Sequence, residues 1–355
     1  MGIKQNNSRI NTLKPIFKHF LYFFSKKITL MKFISLLIIA FFQLQIVFLT
    51  AQIKILDQIA SPIIFSGDKK TAFRDPAVLF FDDSFHLFFT LVKTQEGKIY
   101  SYTATSDSSD LKNWSQIKII TPKNQSLNFS SPGNIIRKNG KWILCLQSYP
   151  RPNHRSDEKV RYGSQDARIF MMKSTDLKNW SYPEILKVKG PSIPVSEMGR
   201  MIDPYFVEDN NEKGKWWCFY KQNGVSMSYS YDFVNWTFFA NTKSGENVCV
   251  LNQKDEYILF HSPSNGIGIK RSNDLVNWTD WGQLITLGQE KWNWAKGRIT
   301  AGTVVDLRKI KKFRKYIMFF HGSGPKKEKE GGFDKNSSIG IAWSDDLINW
   351  DWPGK

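Results

Sequence analysis

Short apolar runs alternate with polar turns along most of the chain. Stretches such as "AVLFF" (77–81), "FHLFFT" (85–90), "YFVED" (205–209) and "KWWCFY" (215–220) are rich in β-branched and aromatic residues and too short for helices. They predict strands. Four further runs, "RIFMMKS", "VSMSYS", "GIGIKRS" and "SIGIAWS", each lead into a copy of one seven-residue pattern, Ser-x-Asp-(Leu/Phe)-x-Asn-Trp. The five copies span Ser108–Trp114, Ser174–Trp180, Ser230–Trp236, Ser272–Trp278 and Ser344–Trp350. Another β-rich run follows several of them, so the pattern is a strand-to-strand turn. Its Asp and Asn hydrogen-bond back onto their own backbone, and its Leu and Trp fold over the strands beneath.

The Trp-to-Trp intervals are 66, 56, 42 and 72 residues, which fits one supersecondary unit with variable loops. Four strands per unit and five units predict an all-β fold: a five-bladed β-propeller of four antiparallel strands per blade, forming a single domain over 52–355. After Trp350 only "DWPGK" remains, too short for a full outer strand. The segment "IKILDQIA" (Ile53–Ala60) is therefore expected to supply that strand and close the ring.

Composition adds an address. "MKFISLLIIAFFQLQIVFLTAQ" from Met31 has a Lys, an apolar run and small residues at Thr50 and Ala51, the pattern of a secretory signal peptide. A membrane anchor is the competing reading, ranked second because the small-residue exit suits a peptidase. Residues 1–51 are thus assigned to an upstream extension and signal peptide, with Met31 as the start, and the protein is expected to be secreted or periplasmic. Removing them takes away seven Lys/Arg and no acid, so the net charge falls from +18 to +11. "KIKKFRK" (309–315) and "GPKKEKE" (324–330) carry much of this excess and read as solvated loops. No zinc spacing or helix-turn-helix pattern supports a nucleic-acid partner. Cys145, Cys218 and Cys249 each sit inside an apolar run, as buried strand residues rather than a disulfide framework. Asn113, Asn179, Asn235 and Asn277 match a glycosylation pattern that the turn itself explains.

Strand alternation puts all five turns on one face of the ring, here the lower. The upper face collects the starts of the innermost strands: "FRDPAV" (73–78), "SSPGNI" (130–135), "RMIDPYF" (200–206), "GENVCV" (245–250) and "RITAGTV" (298–304). Three of these carry an acid, Asp75, Asp203 and Glu246, read as equivalent positions in blades one, three and four. Acids converging on one funnel raise one another's proton affinity, which makes a carboxyl group a general acid near neutrality. Taken singly, Asp-Pro is a common turn at a strand start and Glu246 a surface residue; taken together they favour function.

The order Asp, Asp, Glu, with "RDPAVLFFDDSFHLFFT" opening and "IDPYFVEDNNEKGKWWCFY" third, resembles glycoside hydrolase family 43 over roughly residues 70–352. It is similar also to the wider superfamily of five-bladed propeller glycosidases, including fructan-cleaving and agar-oligosaccharide-cleaving families. The resemblance implies an inverting hydrolase in which Asp75 is the general base, Glu246 the general acid and Asp203 the residue that orients and tunes the acid. Inversion needs a carboxyl separation of roughly 6.5–9.5 Å, leaving room for water. The chain departs from the family pattern by following its acid with Asn247 and Val248 rather than Gly-Pro. It also has Thr300 and Ala301 where a His often begins the fifth inner strand.

Arg74, Arg200 and Arg298 each lie beside an inner-strand start, either to bind sugar hydroxyls, carboxylates or phosphate, or to pair with neighbouring acids. His261 and His321 end equivalent strands and are candidates for substrate contact, for an alternative acid, or for a structural role. The long loop 147–166 is expected to shape the pocket. No serine-nucleophile elbow or nucleotide loop is present. The expectation is a glycosidase acting on a plant- or algal-type oligo- or polysaccharide, arabinofuranosidase- or xylosidase-like, monomeric and without stable membrane insertion. An inverting phosphorylase or a non-catalytic carbohydrate-binding propeller are the alternatives. No cofactor is required, and the central channel is a place for a structural calcium ion.

Overall fold

The computed structural model describes residues 54–355, together with Ser35 and Ile38. The signal-peptide reading of 31–51 and the upstream extension therefore fall outside the described residues. Five sheets make five blades. The first holds β2 (Thr71–Phe81), β3 (Ser84–Gln95), β4 (Lys98–Ser108) and β5 (Lys118–Ile119); the second holds β6 (Ile135–Lys138), β7 (Lys141–Gln147), β8 (Ile169–Ser174) and β9 (Glu184–Ile185). The third is built from β10 (Ile202–Glu208), β11 (Trp216–Lys221), β12 (Val225–Ser230) and β13 (Thr237–Thr242), and the fourth from β14 (Glu246–Asn252), β15 (Tyr257–Ser262), β16 (Gly268–Ser272) and β17 (Thr279–Asp280). Three strands of the fifth are β18 (Arg298–Asp306), β19 (Tyr316–Ser323) and β20 (Ser338–Ser344).

The recurring turn works as a local hydrogen-bond kit. In the last copy Ser344 Oγ accepts the Leu347 N–H (2.9 Å), and Asp346 Oδ1 accepts the N–H groups of Ile348 (2.9 Å) and Asn349 (2.7 Å). Asn349 Nδ2 donates to Asp346 Oδ2 (2.8 Å), and Trp350 Nε1 to the Leu347 carbonyl (2.9 Å). The apolar residue at the fourth position is left-handed in every copy, with φ of 62° to 68° at Leu111, Leu177, Phe233, Leu275 and Leu347. That conformation is strained for a Leu or Phe. Burial offsets the strain, because each of these side chains is less than a tenth exposed and packs into the blade core.

Closure differs from expectation. Residues 54–60 form not a strand but a one-turn helix, α1 (Lys54–Asp57), and the turn that follows it; Leu56 of the helix and Ile59 of the turn are buried with Phe73, Leu111 and Leu307. Ile55, Leu56 and Ile59 all pack against the same core cluster, so the segment plugs the sheet rather than extending it. The ring is closed two residues beyond, where β1 (Ile63–Phe65) pairs antiparallel with β20 through Ile63–Gly340 and Phe65–Ile339. The C-terminal β21 (Trp350–Asp351) takes the other half of the same edge, pairing Asp351 with Trp343. The first and last strands thus share the outer edge of blade five. Phe65 secures the seam by packing its ring 5.4 Å from Phe73, 5.2 Å from Phe89 and 5.7 Å from Trp114.

The three cysteines are free and buried in β7, β11 and β14, and burial pushes the Cys145 thiol up to about 12. Among the described residues, no helix is long and apolar enough to cross a membrane.

Candidate active site

Four of the five inner strands break register where they reach the upper rim. The pairing slips between Arg74 and Ala77, Ile202 and Tyr205, Glu246 and Cys249, and Thr300 and Thr303. Inside each slip one residue is left-handed: Asp75 (φ 47°), Asp203 (52°), Asn247 (52°) and Ala301 (53°), with Ser131 (41°) as the counterpart in blade two. Such bulges re-aim a side chain, here toward the axis. Asp and Asn tolerate the conformation; Ser and Ala do so less readily.

This address corrects the reading of three equivalent acids. Asp75 and Asp203 share it, but blade four presents Asn247 there, and Glu246 stands one residue earlier, opposite Ser262 in the ladder. Asp75 and Asp203 are almost fully buried, whereas the Glu246 side chain is 30% exposed at the cleft edge. The signal was present in sequence as Asp-Pro, Asp-Pro and Asn-Val, with Glu one step out of phase.

Four of these five strained amides are satisfied from the blade before. Thr90 Oγ1 of blade one accepts the Ser131 N–H (2.7 Å), Gln147 Oε1 of blade two the Asp203 N–H (2.7 Å), and Ser262 Oγ of blade four the Ala301 N–H (2.8 Å). His321 Nδ1 of blade five accepts the Asp75 N–H (3.0 Å). Thr90 also donates to Asp75 Oδ2 (2.9 Å), fixing that carboxylate. Each rim acid is thereby held by the neighbouring blade as well as by its own.

Of the roles the sequence left open for His321, the geometry matches the structural one: it is fully buried, does not line the cleft, and clamps Asp75. With Nδ1 accepting, its Nε2 carries the proton toward Glu328 Oε1 (3.3 Å), and burial lowers its proton affinity so that it stays neutral. His261 lies outside the cleft, accepts the Gly245 N–H (2.8 Å), and is lowered to about 4 by burial and by Lys270.

Glu328, which sequence reading left among solvated charges, is the hub of the site. It sits on a single 3-10 turn (Glu328–Glu330) between β19 and β20 and is buried. Its Oε2 accepts from Arg298 Nη1 (2.8 Å), while Oε1 faces His321, Ser323 (3.3 Å) and Arg74 (4.0 Å). Burial opposes its ionisation, but the His321 hydrogen bond and the two guanidiniums prevail and hold it well below the usual carboxylate range. Arg298 bridges onward through Nη2 to Glu246 Oε1 (2.7 Å). The result is a chain Arg74, Glu328, Arg298, Glu246 in which the charges balance. Arg74 also stacks on Phe333, 3.7 Å from the ring centre.

Asp203 lies outside that chain. Burial first, then the charges of Glu246 and Asp75, raise it to about 7, against smaller opposing effects of Ser131 and Arg200. One acidic proton is thus available at neutral pH, in the middle of the carboxylate group.

A cleft of about 170 Å³ opens above, lined by Asp75, Asp203, Glu246, Arg200 and a wall of Tyr149, Tyr162 and Phe333. The Tyr162 and Phe333 rings meet edge-on at 5.1 Å. The wall is made by two loops, 148–168 and 324–337, tied across blade one by Arg151 Nη1 to Asp334 Oδ1 (2.6 Å) and His154 Nε2 to Asp334 Oδ2 (3.4 Å). Below the cleft the channel narrows among Pro76, Pro132, Pro204, Gly133 and Gly302, with two carboxylates only, Asp75 and Asp203. Among the described residues no grouping of three or more His, Cys, Asp or Glu could hold a metal. For a calcium ion, which takes six to eight oxygens, the channel side chains offer the carboxylates of Asp75 and Asp203.

No protein-family model matches the sequence, and no curated protein matches it significantly. Solved structures do match in fold. An exo-1,5-α-L-arabinanase from a bovine ruminal metagenomic library is 16% identical with a TM-score of 0.52, covering 78% of this chain and 94% of its own. The catalytic domain of a Coprinopsis cinerea family 62 α-L-arabinofuranosidase is 13% identical with a TM-score of 0.54, covering 77% and 91%. A family 43 β-1,3-galactosidase is 12% identical with a TM-score of 0.53, covering 76% and 90%. The likeness establishes the propeller that such hydrolases use.

Proposed function

We propose that the protein is an exported glycoside hydrolase that cleaves a glycosidic bond by inversion. The observation that carries this reading is that three carboxylates from three blades line a single cleft, with one of them, Asp203, raised to about 7. Asp75, braced by Thr90 and His321, acts as base on water; Glu246 protonates the leaving oxygen; Asp203 tunes that acid. The aromatic wall gives a sugar ring an apolar face to lie against. The fold neighbours named as arabinanase, arabinofuranosidase and galactosidase support the class of chemistry. The apolar run ending at Ala51 supports export.

A second assignment of the acid has its own observation. Glu246 is engaged by Arg298 Nη2 at 2.7 Å, while Asp203 is the group with raised proton affinity, so Asp203 is the rival proton donor. Aryl glycosides separate the two. A variant lacking the acid keeps its rate when the leaving group is a dinitrophenolate, which needs no proton, and loses it with a poor leaving group. Glu246→Ala is expected to show this split and Asp203→Ala to lose both; the reverse reassigns the acid. Asp75→Asn is expected to lose activity with either leaving group. Binding of oligosaccharide without cleavage, at any pH and with or without phosphate, would leave a lectin-like propeller instead, and an absolute need for phosphate would make it a phosphorylase.

A further inference from the structure

Of the three arginines at the rim, two are already committed: Arg74 packs on Phe333 beside Glu328, and Arg298 is shared between Glu328 and Glu246. Arg200 differs. It lines the cleft, is half-buried, and among the described residues forms no ion pair; its guanidinium lies 5.8 Å from the Tyr149 ring centre. A guanidinium held over an aromatic ring keeps a fixed, partly desolvated orientation, well suited to an incoming anion. The Arg74–Glu328–Arg298–Glu246 chain balances its own charges, with Asp75 a further carboxylate 3.8 Å from Arg74, and Arg200 is the one of the three guanidiniums that pairs with no carboxylate among the described residues. The surrounding face agrees. The loops that wall the cleft also wall a second hollow of about 220 Å³, lined by Lys69, Lys70 and Lys335 together with Glu158 and Asp334, whose carboxylates face His154 and Arg151; these three lysines, and Lys326 and Lys327 on the 324–337 loop, form no ion pair among the described residues.

We infer that the cleft selects a sugar carrying an anionic substituent, a uronate carboxylate or a sulfate ester, which Arg200 receives while the ring lies along Tyr149 and Tyr162. This deepens the hydrolase reading and rests on it. A planar guanidinium accommodates the two oxygens of either group. The unpaired lysines on the same face draw an acidic polymer toward the site at a rate that falls with salt.

The test uses matched substrates. A pectic oligouronide is compared with its carboxyl-reduced form, and a sulfated galactan oligosaccharide with its desulfated form, for wild type, Arg200→Gln and Arg200→Lys. One acidic member of the pairs is expected to be preferred in kcat/KM by roughly 10- to 100-fold, the worth of a charge-assisted hydrogen bond. The preference ratio should collapse in Arg200→Gln, recover in part in Arg200→Lys, and shrink with added salt. Which pair shows it distinguishes carboxylate from sulfate. Equal or better turnover of both neutral forms overturns the inference while leaving the hydrolase reading intact. If nothing is cleaved the hydrolase reading falls, and calorimetric binding of the same four probes then decides: no Arg200-dependent preference for an acidic probe overturns the inference too. An Arg200 effect seen only with added inorganic phosphate also overturns it, since phosphate would then be the anion received.

Discussion

Replacing Asp203 by Asn should stabilise the protein above neutrality while impairing it as a catalyst. The carboxyl group rises from an ordinary 3.8 to about 7 in the fold, chiefly through burial and then through Glu246 and Asp75. Because the folded chain holds this proton after the unfolded chain has lost it, wild-type stability falls as pH climbs from about 4 to about 7. The penalty is then fully present above pH 7, with a ceiling of about 4 kcal/mol at 1.36 kcal/mol for each pH unit. Asn has the shape of the protonated acid and cannot ionise. Melting temperatures by differential scanning calorimetry should therefore nearly coincide for variant and wild type at about pH 4.5 and diverge at about pH 8.5. For a domain of this size 1 kcal/mol moves the midpoint by roughly 2–4 °C, so the variant should melt up to about 10 °C higher in alkaline buffer. A difference that stays constant with pH, or an Asn variant that is the less stable partner above pH 7, would refute the placement of the proton. The same wild type should show a pH–rate limb near 7 that is absent from Asp203→Asn.

Three further outcomes follow from other parts of the ring. Glu328→Gln leaves no arrangement that satisfies both sides, since an amide that accepts from His321 turns its NH2 against Arg298 Nη1; the loss of a buried partner should cost about 3 kcal/mol and lower the melting midpoint by about 6 °C, with kcat falling as Arg298 releases Glu246. Phe65→Ala strips the seam of three aromatic contacts and should cost about 2 kcal/mol in a urea melt. The turn carboxylates are depressed, Asp110, Asp274 and Asp346 to about 2, Asp110 and Asp274 by backbone and side-chain hydrogen bonds that outweigh desolvation and Asp346 chiefly by the Asn349 N–H. Their contribution is present above the unfolded value near 4 and is lost as pH falls toward 2, so thermal melts should drop steeply over that window. Midpoints flat from pH 4 to 2 would contradict this.

The ring was legible because its repeated chemistry is local. Ser344, Asp346, Asn349 and Trp350 satisfy one another within seven residues, so the turn is written wherever its letters occur, and five copies count five blades. Two acids at one address, Asp75 and Asp203, followed from the same count. Reading failed where identity depends on a distant partner. Residues 54–60 look as apolar as a strand, yet the edge of β20 was taken by Ile63–Phe65, and Leu56 and Ile59 found a hydrophobic slot instead. His321 and His261 sit at matching strand ends, and only their neighbours make one a clamp for Asp75 and the other a partner of Gly245.

Sequence alone thus determined the number of blades, the face that bears the turns and two of the acids. These rest on hydrogen bonds and side-chain alternation inside single blades. Tertiary structure decided the rest: the half-strands that share the closing edge, the one-residue offset of Glu246, and the rescue of Glu328 from a solvated run to the centre of the site. Arg151 and Asp334, which tie the walls of the cleft, lie 183 residues apart. A contact of that range leaves no period in the sequence, because its two ends are brought together only when the ring closes.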